Sequence, residues 1–176
     1  MLKKMMALVM VFVMILGTTV SVSADSLISE SKEEGIVVSE RTYYDQDLDV
    51  DITEVIKFYP DDDSTYQPGT RNISGSGTFE KSDTFHWSSA DMTYYVRAYF
   101  VWNDDDDYIR AYNETGGVNS VPNVTVTNAH TSKEYGQYLF WNKYVDVSYS
   151  FTATSFIGMS HDLSVTLRVS QEGVIS

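Results

Sequence analysis

The sequence predicts an all-β protein: a single antiparallel β-sandwich of seven to eight strands after a cleaved signal peptide. Three observations carry this expectation. From Leu48 onward, apolar residues alternate with polar ones at the spacing of two that gives a strand one inward face. Turn residues interrupt the alternation at intervals of roughly 8–12 residues, the pattern of sandwiches and barrels. No segment alternates strand with helix in the manner of a doubly wound α/β sheet. The 176 residues suit one domain, and 43% apolar and 14% aromatic content is too high for a disordered chain.

Residues 1–24 read as the leader. Lys3 and Lys4 precede an apolar run from Met5 to Leu16, then a small polar stretch, then Val22-Ser23-Ala24, whose small side chains fit a signal-peptidase cleft. Cleavage after Ala24 is expected. A lipobox cysteine, a second apolar span and a sortase signal are all missing from the sequence. The expected product is therefore secreted and extracellular, with no membrane attachment once the leader is removed. Residues 25–47 are acidic and serine-rich and read as an N-terminal arm, mobile from Asp25 to about Ser39, which leaves 48–176 as the sandwich domain.

Within that domain, Leu48, Val50 and Ile52 alternate with Asp49, Asp51 and Thr53. Leu48, Ile52, Val55, Ile56 and Tyr59 also fit helical spacing, with Asp51 and Glu54 as a capping box. The β-branched content favours a strand, and both readings stand for 48–59. Residues 60–70 are a connector. Ile73, Gly75, Gly77 and Phe79 share a face whose glycines suggest close backbone approach or a bulge. Lys81-Ser82-Asp83 reads as a turn before the short strand Thr84–Ser88. Met92, Tyr94, Val96, Ala98, Phe100 and Trp102 form the longest one-faced run. Asn103–Asp107 turns the chain into Tyr108–Tyr112, Glu114–Gly117 reads as a loop, and Pro122 bounds Val124–Thr127. Tyr138–Trp141 and Val145–Phe151 suggest a hairpin around Asn142-Lys143. Leu163, Val165, Leu167 and Val169 point inward from the last strand.

The leader, the acidic first strand, the connector ending at Thr70, the segment Ser74-Gly75-Ser76-Gly77-Thr78-Phe79 and the closing Leu163–Val169 strand together resemble small secreted proteins of Firmicutes-type bacteria. Those families are mostly classed as domains of unknown function. The resemblance is architectural and implies no catalytic residues.

Charge and residue inventory exclude several function classes. The net charge of −13 opposes nucleic-acid binding, which needs a basic face. The absence of cysteine removes disulfides, thiolate metal sites and cysteine nucleophiles. His86, His130 and His161 form no His-Glu-x-x-His motif and no pair at i, i+2 or i, i+4, so they read as surface or rim histidines. A zinc site assembled from all three, serving a small metal-dependent hydrolase, is the alternative. No nucleophile elbow and no phosphate-binding glycine loop is present, and an enzyme is not expected.

Two features remain. Asp104-Asp105-Asp106-Asp107 crowds four carboxylates into one turn, which a hard oxygen-seeking cation such as Ca²⁺ would relieve; solvated charge is the plainer alternative. Asp45, Asp47, Asp49 and Asp51 also recur at every second position, on one face if that segment is a strand, without matching an EF-hand loop. Trp87, Trp102 and Trp141 all fall at strand ends or beside turns, where an indole can stack on a sugar ring, although core packing is the commoner fate of a sandwich tryptophan. No resident cofactor is expected beyond that calcium. The sequence thus points to a secreted, non-enzymatic protein that binds an unknown protein or glycan partner, with a carbohydrate-binding module as the alternative.

Overall fold

The computed structural model describes residues 35–60, 64–67, 74–87, 90–106, 108–119, 121–138 and 141–176. The expected leader over 1–24 lies outside them. The described residues form eight strands: β1 (Ile36–Asp45), β2 (Val50–Tyr59), β3 (Ser74–Trp87), β4 (Ala90–Asn103), β5 (Tyr108–Val118), β6 (Val124–Tyr138), β7 (Trp141–Ser155) and β8 (Ser160–Ser170). They make two antiparallel sheets in plain sequence order, β1-β2-β3-β4-β5 and β6-β7-β8. Every strand pairs with its neighbour in sequence, so each contact except the β5–β6 crossing is a hairpin, the most local way to build a sheet.

The inward faces follow from the alternation. In β4, Met92, Tyr94, Val96, Ala98, Phe100 and Trp102 are all buried, and in β7 and β8 the same holds for Val145, Val147, Tyr149, Phe151 and Ala153 and for Leu163, Val165, Leu167 and Val169. These residues join one hydrophobic cluster spanning both sheets. The three-stranded sheet packs chiefly on β3, β4 and β5. At one end of the core Phe58, Tyr66, Phe79 and Trp102 meet edge to face or tilted, at centroid distances of 4.9–6.3 Å, the geometry that ring quadrupoles favour.

The glycines of β3 are explained by that aromatic group. A Cβ on Gly75 would lie 2.5 Å from the indole of Trp102, its cross-strand partner, and one on Gly77 would lie 2.7 Å from the Phe58 ring. Close approach of rings to bare backbone, one of the two readings of this Gly-x-Gly, is what these positions provide.

Several expectations are corrected. The arm over 25–47 is not unpaired throughout, because Ile36–Asp45 is strand β1, in register with β2 from Ile36↔Phe58 to Asp45↔Val50 across a bulge at Val38. It reads as polar because an edge strand carries little of the core. The ambiguous 48–59 segment is a strand from Val50 onward, and its inward Ile52, Ile56 and Phe58 fit a period of two. Lys81-Ser82-Asp83 is not a turn but the middle of β3. Glu114–Gly117 is not a loop but the second half of β5, beyond a register shift between Arg97 and Tyr99 in the β4–β5 pairing. The β6–β7 hairpin closes at Tyr138↔Trp141 rather than around Asn142-Lys143.

The four alternating aspartates do not share one strand face either. Asp45 ends β1, Asp47 and Asp49 lie in the turn, and Asp51 is the second residue of β2. Their chemistry is that of the turn. Asp45 Oδ1 accepts the backbone N–H groups of Asp47 at 2.9 Å and Leu48 at 3.0 Å, and Asp49 takes a left-handed φ of 58° while accepting from the Tyr44 hydroxyl. Short polar side chains that bond local backbone and tolerate positive φ are what such a turn selects.

Candidate functional site

Four chain segments meet at one end of the molecule: the β1–β2 turn, the β3–β4 hairpin, the β5–β6 connection and the β7–β8 turn. Two hollows record the meeting. One, of about 160 Å³, is lined by Leu48, Val50, Phe85, Trp87, Met159 and His161 with His86. The second, of about 90 Å³, lies between Trp87, Pro122, Val124 and the β7–β8 turn.

That turn is Ser155-Phe156-Ile157-Gly158-Met159, and its backbone closes without help from its large side chains. Ser155 N–H donates to Met159 O at 2.8 Å, Gly158 N–H to Ser155 O at 2.9 Å, and Met159 N–H to Ser155 Oγ at 3.2 Å, with Gly158 at a φ of 85°. Glycine meets the positive φ without strain. Phe156, Ile157 and Met159 are left 78%, 65% and 54% exposed. Full burial of such a side chain is worth about 1.5–3 kcal/mol, and the fold collects little of it here.

Beside the tip, Trp87 is half-buried. It stacks on Phe85 at 5.8 Å and meets the His161 ring edge-on at 5.7 Å. His86 Nδ1 lies 2.9 Å from Asp91 Oδ1. Around this end stand Asp45, Asp47, Asp49, Asp51 and Asp91, and the segments 45–51, 85–91, 119–124 and 153–162 contain no lysine or arginine. The end is an apolar point set in a negative field.

A second constellation lies inside the five-stranded sheet. Register places Arg41, Glu54, Asp83 and Tyr94 in one cross-strand row on the inward face, with Lys81 one step along β3. Glu54 receives Arg41 on both oxygens, Nε at 2.8 Å and Nη2 at 2.9 Å, and Lys81 Nζ at 2.9 Å. Its carboxylate is buried while Arg41 is largely exposed. Burial pushes the Glu54 carboxyl up, but hydrogen bonds and charge from Arg41 and Lys81 outweigh it and hold the group below its ordinary value.

Asp83 has the opposite balance. It is 4% exposed, its Oδ1 has no hydrogen-bond partner among the described residues, and it is bonded to the Tyr94 hydroxyl. Burial, then the Glu54 charge, push it up to about 6. Burial and the neighbouring Asp83 likewise raise the Tyr94 phenol. This row can store a proton, but its cations are engaged by Glu54, and it faces the interior.

The residues singled out in the sequence are scattered by the fold. Trp102 is 1% exposed in the aromatic cluster, which removes it as a sugar platform. It pairs with Gly75 at the start of β3, whereas Trp87 ends that strand twelve residues away, about 40 Å at the rise of an extended chain. Trp141 opens β7, and its side chain lies outside the described residues. Of the aspartates, Asp107 is also outside. Asp104 Oδ1 accepts from Gln171 Nε2 at 3.2 Å, Asp106 Oδ2 accepts from Asn103 Nδ2 at 2.7 Å, and Asp105 N–H donates to Asn103 Oδ1 at 3.0 Å. Side-chain amides thus answer the carboxylates of Asp104 and Asp106, and among the described residues no three carboxylate or imidazole groups converge as metal ligands. His86 and His161 line one hollow, while His130 lies in β6 beside another.

Neither the tip nor the buried row announces itself in the sequence. Phe156-Ile157-Gly158-Met159 is an apolar run around a glycine between β7 and β8, and its Ile157 and Met159 keep the inward phase of both strands, so alternation alone does not mark them as exposed. Glu54, Lys81 and Asp83 sit in phase with the apolar residues on either side of them. No family model, no curated protein and no solved structure matches this chain.

Proposed function

We propose that this protein is a secreted, non-enzymatic β-sandwich whose work is binding, and that it grips a protein partner with the β7–β8 tip. The observation that carries the reading is the exposure of Phe156, Ile157 and Met159 on a turn whose backbone closes without them. Large apolar side chains gathered beside a half-buried tryptophan are the makings of an interface anchor. The surrounding aspartates select a partner with a cationic rim around an apolar recess, and they repel an anionic lipid surface.

Photo-crosslinking tests the proposal. A photoreactive residue at position 157, exposed to culture fluid and extract of the producing cell, should give one discrete protein adduct. The adduct should fade as salt rises and vanish with Phe156→Asp, and the same probe at position 95 should not form it. No adduct, or an adduct with lipid alone, would overturn the reading.

A further inference from the structure

A third hollow, of about 270 Å³, opens on the solvent face of the three-stranded sheet. Two register rows build it. Thr127, Thr152 and Asp162 lie opposite one another, as do His130, Ser150 and Ser164. Three residues of β6 span the distance that two cover on β7, and this bulge holds Asn128 at a left-handed φ of 56°. The small side chains of Ser150, Thr152 and Ser164 form the floor, and Asn128, His130 and Asp162 are the larger groups around it.

The polar groups are already arranged. Asn128 Nδ2 donates to Thr152 Oγ1 at 3.3 Å, and Thr152 Oγ1 donates to Asp162 Oδ1 at 2.8 Å. His130 Nδ1 lies 2.9 Å from the backbone oxygen of Asn128. A carbonyl oxygen only accepts, so Nδ1 carries the proton and Nε2 of the neutral ring is an acceptor. The hollow therefore combines a carboxylate and an imidazole acceptor, an amide with both functions, and hydroxyls that donate or accept.

We infer that this hollow binds a neutral polyhydroxyl ligand of the size of one sugar ring. A hydroxyl group must both give and receive hydrogen bonds, and this lining offers both within one small area. The lone carboxylate opposes an anion. The volume falls below the roughly 300–1,000 Å³ of pockets for larger ligands, which restricts the occupant to a single ring. The inference is independent of the tip, since it uses the face of the sheet and not its end.

The test is titration of the protein with glucose, galactose, mannose and N-acetylglucosamine, followed through the backbone amide signals. At least one sugar should shift residues 128–130, 150–152 and 162–164 to saturation, with a dissociation constant in the millimolar range. Ser150→Val fills the floor with a strand-compatible side chain and should weaken that binding at least tenfold, about 1.4 kcal/mol. Asp162→Asn should weaken it less, and Phe156→Ser should leave it unchanged. The inference is wrong if no sugar moves these signals, or if Ser150→Val binds as well as the parent while its other amide signals stay in place.

Discussion

The two sheets solve the same problem in different ways. The inward face of β7 and β8 is apolar at every position from Val145 to Ala153 and from Leu163 to Val169. The inward face of β2 and β3 interrupts Ile52, Ile56, Phe58, Phe79 and Phe85 with Glu54, Lys81 and Asp83, all buried. The first face needs only packing. The second must also satisfy charge, because a buried ion costs several kcal/mol unless paired and hydrogen-bonded. Glu54 meets that condition with two cations, and Asp83 meets it only in part. The three-stranded sheet should therefore respond to lost volume, and the five-stranded sheet to lost charge and to pH.

The largest effect is expected from lost volume. Leu167 is completely buried in β8, and Leu167→Ala should cost about 2–5 kcal/mol as transfer and cavity terms add. Denaturant unfolding at several pH values should show a loss that does not vary with pH. A pH-dependent loss would break the contrast between the sheets.

Lys81→Met comes next. It removes one of the two cations from Glu54 and one of the charges that favour ionised Asp83. Breaking a buried pair costs about 3–5 kcal/mol when the remaining charge is stranded. Here Arg41 stays bonded to Glu54, so the loss should fall below that range. Glu54→Gln with Lys81→Met should cost less than the two single losses added together, which a double-mutant cycle reads directly.

Asp83→Asn should act in the opposite direction. Its folded value of about 6 stands above the ordinary 3.8, so the native state binds the proton more tightly than the unfolded chain does. The contribution of Asp83 to stability is full below about pH 4 and is lost as pH rises through 6. The penalty at pH 7 is on the order of 3 kcal/mol for two pK units. Removing the charge should raise stability at pH 7 by up to that amount and leave it nearly unchanged at pH 4. Glu54 runs the other way: held below its ordinary value, it stabilises above the unfolded carboxylate range and loses that contribution as pH falls through its folded value. The parent should therefore be most stable between these two windows, and a flat melting profile from pH 4 to 7 would sink the assignment for Asp83.

The same contrast explains what could be read from the sequence. Leu163–Val169 and Met92–Trp102 announce their faces because every inward residue is apolar. The alternation in β3 runs unbroken through Phe79, Lys81, Asp83 and Phe85, yet two charges and a serine at its centre look locally like a turn. The same ambiguity attached to Glu54, whose spacing from Asp51 imitates a helix cap. Charge chemistry decided by cross-strand neighbours is invisible along one strand, since Arg41, Glu54 and Asp83 are brought together only by register. The tip was missed for a different reason. Nothing in Phe156-Ile157-Gly158-Met159 says that the backbone of Ser155 and Gly158 closes the turn without burying the side chains.

The smallest effect on stability is expected at that tip, and it is the most informative about function. Phe156 and Ile157 are the two most exposed large apolar residues among those described, and the turn's hydrogen bonds run through the Ser155 side chain and the backbones of Ser155, Gly158 and Met159. Replacing Phe156 and Ile157 with serine removes little buried area and leaves those bonds intact. Surface changes of this kind usually fall within about 0.5 kcal/mol of neutral. The double variant should keep the melting temperature of the parent at every pH, in contrast to each of the substitutions above. A marked loss of stability would mean that these side chains pack against the domain in solution and that the tip serves the fold. An unchanged melting temperature, together with loss of the adduct formed from a photoreactive residue moved to position 159, would separate binding from folding at these two residues.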